Sequence, residues 1–135
     1  MAKEVFPVQK TEAEWAAELT PEQFRVLRQH GTERLGTSPL NGESRDGLFS
    51  CAGCGHELFP AETKYESCSG WPSFFGPLPD AVATTEDRSH FMTRTEVHCA
   101  KCGGHLGHVF PDGPAPTGQR FCMNGVSLKF TPTGD

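Results

Sequence analysis

No run of apolar residues in this chain approaches the roughly 20 needed to span a bilayer. Its first residues, Met1 to Pro7, contain no apolar stretch of the kind that forms a signal peptide. Basic residues are in the minority, with 12 Lys+Arg against 17 Asp+Glu and a net charge of −5. That balance argues against the clustered basic face that phosphate recognition requires. Cysteine is too sparse, at six in 135 residues, for a scaffold built from disulfides. The expectation is a cytoplasmic protein that binds neither nucleic acid nor membrane. In a reducing compartment cysteines are usually kept for metal or catalysis, so the six thiols are where function should be sought. The length suits one domain over 1–135 that builds its own core, and nothing suggests an obligate interface, so a monomer is expected.

The first third reads helical. Thr11-Glu12-Ala13-Glu14 is a capping box, in which the hydroxyl accepts from the third residue's amide while that residue's side chain reaches back. Thr20-Pro21-Glu22-Gln23 is a second, with proline where its missing N–H costs nothing. Leu19 and Phe24 have the spacing of a hydrophobic staple, and Gly31 is a natural stop. Two short helices are predicted, about 11–17 and 21–30, as a lead-in over about 11–30. Beyond Gly31 the glycines and prolines break the chain into short segments. Phe91, Thr93, Thr95 and Val97 alternate with polar neighbours, as do Val126, Leu128 and Phe130, and both patterns read as strands with one buried face. Shorter β segments are expected near 47–51, 73–76, 107–110 and 119–124. The fold class is mainly β, with its core over about 45–131.

Cys51-Ala52-Gly53-Cys54-Gly55 and Cys99-Ala100-Lys101-Cys102-Gly103 share the pattern C-A-x-C-G. Two residues between thiols let both sulfurs of a tight knuckle converge on one metal, and the following glycine tolerates the backbone this requires. Two knuckles supply four thiolates, the closed tetrahedral set of a structural Zn²⁺. The 44 residues 55–98 lie between them, so such a site would tie an early β segment to a later strand. Disulfides or unrelated buried cysteines are the alternatives, while neither pair has the strand-to-helix setting of a thioredoxin turn.

Cys68 and Cys122 remain. In a strand, Arg120, Cys122 and Asn124 would project on one face. A guanidinium beside a thiol favours the thiolate, and an asparagine can position a neighbour. Cys122 is therefore either a reactive thiol or a small core residue, which the segment alone leaves open. His105 and His108, with Asp112 four residues on, lie in a glycine-rich run suited to proton transfer or ligand binding. Cys68 precedes Trp71 and Phe74, aromatics that either line a pocket for an apolar or sulfur-bearing group or belong to the core.

Together these stretches closely resemble the B-class peptide-methionine sulfoxide reductases, which repair the R epimer of methionine sulfoxide. The matching elements are His30-Gly31-Thr32-Glu33, Arg45-Asp46-Gly47, Gly70-Trp71-Pro72-Ser73-Phe74, the run from His105 to Pro114, and Arg120-Phe121-Cys122-Met123-Asn124. The resemblance implies two antiparallel sheets packed around the site, with zinc on the far side. It implies Cys122 as nucleophile, Trp71 against the substrate's S-methyl group, and His105, His108, Asp112, Arg120 and Asn124 as the polar side of the pocket. Cys51, Cys54, Cys99 and Cys102 would hold a structural zinc. The family pattern places a recycling cysteine two residues before the tryptophan; here Cys68 stands three before it and is read as the resolving thiol.

The mechanism this implies begins with attack of the Cys122 thiolate on the sulfoxide sulfur, with His108 or His105 as the acid. Cys122 becomes a sulfenic acid, Cys68 condenses with it to a disulfide, and a thioredoxin-like dithiol reduces that disulfide. The substrates would be oxidised proteins bearing methionine sulfoxide, with Phe74 beside Trp71 in the binding pocket. A non-catalytic zinc-knuckle module that binds a partner protein is the alternative. A zinc hydrolase is disfavoured because four thiolates leave no open position.

Overall fold

The computed structural model describes residues 10–29, 31–32, 39–43, 45–65, 70–87 and 93–132. Among the described residues two helices come first, α1 (Glu12–Glu18) and α2 (Pro21–Gln29). Both capping boxes form. Thr11 Oγ1 accepts from the Glu14 amide at 3.2 Å while Glu14 accepts from the Thr11 amide at 2.8 Å, and Thr20 and Gln23 exchange the equivalent pair. Past α2, the Gly31 amide turns back to the Arg25 carbonyl at 2.9 Å, which ends the helix.

Nine strands follow among the described residues: β1 (Gly47–Cys51), β2 (Glu57–Pro60), β3 (Lys64–Tyr65), β4 (Ser73–Phe74), β5 (Val82–Asp87), β6 (Arg94–Cys99), β7 (His105–Phe110), β8 (Arg120–Met123) and β9 (Leu128–Pro132). They form two antiparallel sheets, of order β2-β1-β9 and β3-β4-β8-β7-β6-β5. The four short segments expected from sequence all contain strands. Of the two alternating stretches, residues 91 and 92 lie outside the described residues, and Val126 falls in a 3-10 turn rather than a strand. That turn is closed by the Ser127 amide bonding to the Asn124 carbonyl at 3.0 Å, so β9 begins only at Leu128.

The sheets meet through aromatic rings. Phe49 of β1 lies 4.9 Å edge-on to Phe74 of β4, while Phe59 of β2 stacks on Phe74 at 4.4 Å and meets Phe121 of β8 at 5.8 Å. Phe49, Phe59 and Phe74 are fully buried, and each such pair is worth about 0.5–1.5 kcal/mol beyond the area it removes from water. Alternation along a strand then fixes what faces outward. With Phe121 turned toward the smaller sheet, Arg120 and Cys122 project from the opposite face of the larger one. The site therefore lies on the outward face of the six-stranded sheet rather than between the sheets.

Candidate active site and metal centre

The two CxxC units are turns at strand ends. Cys51 closes β1 and Cys54 lies in the turn to β2; Cys99 closes β6 and Cys102 lies in the turn to β7. In both, the amide of the following glycine bonds at 2.8 Å to the carbonyl of the first cysteine, from Gly55 to Cys51 and from Gly103 to Cys99. Those glycines adopt φ of 81° and 75°, which a side chain would resist. Amides also turn toward sulfur, Gly53 to Cys51 and Gly104 to Cys102, each at 3.4 Å.

The four Sγ atoms lie within 4.8 Å of one another, with Cys51–Cys102 at 3.7 Å and Cys54–Cys99 at 3.5 Å. Sulfurs arranged tetrahedrally at a metal–sulfur distance of about 2.3 Å would be about 3.8 Å apart, so the cluster fits a metal. Thiols this close compete for protons. Hydrogen bonding to Cys102, with burial, pushes Cys51 and Cys99 up, whereas hydrogen bonds from Cys102, Cys51 and Cys99 hold Cys54 down. A divalent cation resolves that competition by holding all four as thiolates. The helices cover the cluster: Arg28 donates to the Cys102 carbonyl at 3.0 Å and lies over the buried Trp15 ring at 4.6 Å.

Five cysteines fall among the described residues, and four of them form this cluster. The fifth, Cys122, is partly exposed at the wall of a cavity of about 260 Å³ on the outward face of the larger sheet. His108, Arg120, Trp71 and Asn124 share that wall, as the sequence reading expects, and so do Thr32, Arg94, Gly107 and Phe110. The register explains the gathering. Cys122 pairs with Ser73 on one side and His108 on the other, and His108 pairs in turn with Glu96. β7 and β8 run unusually close at Gly107, where a Cβ would fall 2.1 Å from the Cys122 carbonyl oxygen.

His105 is three residues from His108, and strict alternation would put the two on opposite faces. A register shift at Val97/His98 intervenes, so that Val97 pairs with Gly107 while His98 pairs with His105. The extra residue in β7 re-aims His105, and its ring meets that of His108 at 5.6 Å and 71°. His105 is 4% exposed and lies behind His108, outside the cavity wall.

Asp112 is also outside the wall. It grips Arg120 through two contacts, Nε–Oδ1 at 2.9 Å and Nη2–Oδ2 at 3.2 Å, while the guanidinium lies 4.5 Å from the Phe110 ring. Hydrogen bonding to Asp112 raises Arg120 above its ordinary value, and the charge of Cys122 adds to the effect. Reciprocally, Arg120 favours the Cys122 thiolate. Asn124 uses Nδ2 to bond the Leu106 carbonyl at 3.1 Å, which holds its side chain against β7. Phe74, expected in the binding pocket, is instead a core residue stacked between the sheets, because its neighbour Ser73 takes the Cys122 side of β4. Cys68 and His30 lie outside the described residues.

Sequence reasoning missed Arg94, Glu96 and Tyr65. Arg94 and Glu96 follow the same alternation that places Thr95 and Val97 on the other face of β6, so extending the face analysis to the polar set would have found them. The Tyr65 hydroxyl is buried without a hydrogen-bond partner among the described residues; burial pushes it up, and it senses the charges of Arg120, Asp112 and Cys122. Nothing in its sequence neighbourhood signals that position.

The fold and site define a class of protein: a two-sheet β domain with a closed thiol cluster joining the sheets and, among the described residues, one partly exposed cysteine outside that cluster in an imidazole- and guanidinium-lined cavity. The SelR domain family matches residues 19–132. Similar proteins include peptide methionine sulfoxide reductase MsrB of Leptospira interrogans, 56% identical over 126 residues, covering 93% of this chain and 96% of the relative. The MsrB of Agrobacterium fabrum is 53% identical over 126 residues, covering 93% of each. The MsrB of Methanosarcina mazei is 54% identical over 129 residues, covering 95% of this chain and 92% of the relative. The chain belongs to the SelR domain family, with these MsrB proteins as its relatives.

Proposed function

We propose that this protein reduces the R epimer of methionine sulfoxide in oxidised proteins to methionine, with Cys122 as the nucleophile. The observation that carries the reading is the placement of Cys122. It is the described cysteine outside the metal cluster, and it opens on a cavity shared with His108, Arg120 and Trp71. The names of the relatives support the same activity.

Cys122 attacks the sulfoxide sulfur as a thiolate favoured by Arg120, while His108, across the ladder from it, supplies the proton that the oxygen needs. The attack forms an S–S bond between Cys122 and the substrate sulfur as the protonated oxygen departs as water. A water then attacks the Cys122 sulfur, the S–S bond breaks with its electron pair going to methionine, and Cys122 is left as a sulfenic acid. Cys68 then condenses with it, releasing water and forming the Cys68–Cys122 disulfide. A thioredoxin-like dithiol restores both thiols by exchange. The sum is one sulfoxide and one dithiol converted to one thioether, one disulfide and water. Trp71 packs on the S-methyl group and sets the stereochemistry, and Asn124 and the Asp112–Arg120 pair hold the polar wall.

Cys51, Cys54, Cys99 and Cys102 hold Zn²⁺, whose part is structural because four thiolates leave no position for substrate. We place the protein in the cytoplasm as a monomer. Among the described residues no helix is long and apolar enough to cross a membrane. The non-catalytic binding module is not favoured, since it gives no role to the polar wall around Cys122.

The test is turnover of separated R and S epimers of an N-blocked methionine sulfoxide, with dithiothreitol as electron source. R alone should react. Cys122→Ser should abolish turnover, and Cys68→Ser should retain one stoichiometric turnover while losing thioredoxin-dependent cycling. Inertness of zinc-loaded, reduced protein toward both epimers would overturn the reading in favour of the binding module.

A further inference from the structure

Glu96 is an acidic residue in the middle of a strand and is 8% exposed. A buried carboxylate is costly unless other groups satisfy it. Here one imidazole does so by a short contact, and a second lies nearby. Glu96 Oε2 lies 2.6 Å from His105 Nδ1, and Oε1 lies 3.6 Å from His98 Nε2. An ionised carboxylate is acceptor-only, so the 2.6 Å contact requires the proton on His105 Nδ1. His105 in turn packs edge-to-face on His108, which lines the cavity with Cys122. The bulge in β7 is what makes the chain of contacts continuous: it places His105 opposite His98 while His108 stays opposite Glu96.

We infer that Glu96 is a positioning residue for the reductase reaction. It fixes His105 in the Nδ1–H tautomer and in one ring orientation, and His105 thereby holds the His108 ring at the cavity wall. The side of the His105 ring remote from Glu96 then presents Nε2 as an acceptor, and a neighbouring donor can use it without a change of tautomer. A carboxylate that held only the fold would need neither the short contact to Nδ1 nor the stack against the cavity histidine. The same strand contributes Arg94 to the cavity wall two residues before Glu96, so β6 supports the site from the face that carries both.

This inference rests on the reductase reading, and the experiment separates the two. The tautomer of His105 is read in the zinc-loaded wild type by ¹⁵N–¹H correlation of the imidazole ring. Protonation at Nδ1 with Nε2 as acceptor is expected; the Nε2–H tautomer overturns the inference whatever the activity. Glu96→Gln should keep metal content and the rate of Cys122 alkylation, leave KM within about twofold, and lower kcat by roughly tenfold to a hundredfold. Glu96→Asp, which keeps the charge, should recover part of that loss. In a His105→Asn background, Glu96→Gln should add little, because the two act through one path. A folded Glu96→Gln enzyme with wild-type kcat would sink the positioning role, and a kcat loss matched by an equal loss of folded protein would reduce it to stability. Failure of the wild type to reduce either epimer would sink the reductase reading instead, independently of the tautomer.

Discussion

Phe74 and Ser73 are neighbours in sequence, yet one closes the core and the other pairs with Cys122. Phe74→Ala should therefore cost about 3–5 kcal/mol of stability in denaturant unfolding. Trp71→Ala should chiefly raise KM for the R sulfoxide, because Trp71 is the aromatic at the cavity. Phe74→Ala matching Trp71→Ala in KM effect would contradict this division. The Asp112–Arg120 pair carries a pH signature. Hydrogen bonding from Arg120 holds Asp112 below the ordinary carboxylate range. A depressed carboxylate contributes above its unfolded value of about 3.9 and loses that contribution as pH falls through the lower folded value. The pair thus stays intact between about pH 5 and 9. Asp112→Asn should lower the rate without moving any midpoint of the pH–rate profile in that window. Residue types were readable in the sequence, since Cys122, His108, Arg120, Asn124 and Trp71 all line the cavity. Facing was less so: Phe74 looked like a pocket aromatic because its strand is only two residues long, too short to show alternation.

At the scale of elements, the helices were legible because capping is local chemistry, written within four residues. Strands were legible where a polar–apolar alternation survives; β2 and β3 escaped because they are short, and β5 because its sequence grades from apolar to polar without alternating. The bulge in β7 was not readable, since it is defined by the partner strand β6 and not by β7 itself. Gly107 shows what the pairing demands. A methyl group there would meet the Cys122 backbone oxygen at 2.1 Å, and backbone cannot turn aside as a side chain can. Gly107→Ala should separate β7 from β8, lower the melting temperature, and reduce turnover more than Phe74→Ala does at matched folded fraction. Unchanged turnover in a folded Gly107→Ala protein would show that the His108–Cys122 spacing is less exacting than the register suggests.

For the molecule as a whole, the thiol cluster joins the turn after β1 in one sheet to the turn after β6 in the other. Structural zinc in small modules contributes on the order of 10–16 kcal/mol, comparable with the whole stability of a domain. Chelation, or Cys99→Ser, should therefore cause cooperative unfolding seen by circular dichroism, with one zinc per chain released and found by elemental analysis. Metal-free protein that keeps its melting temperature would reduce the cluster to an accessory. The CxxC spacing made this cluster readable from sequence, while the helical cover from Arg28 and Trp15 was not, being a contact between distant segments. The strand order has a consequence for synthesis. β8 belongs in the middle of its sheet, between β4 and β7, yet is among the last strands made. All four cluster sulfurs leave the ribosome before Cys122 does, because chains are made from the N-terminus. An unfinished copy can thus close its metal site while β4 and β7 still lack the neighbour that separates them, which makes it prone to aggregate. It also lacks Cys122, so the proposed nucleophile arrives only when the sheet is closed.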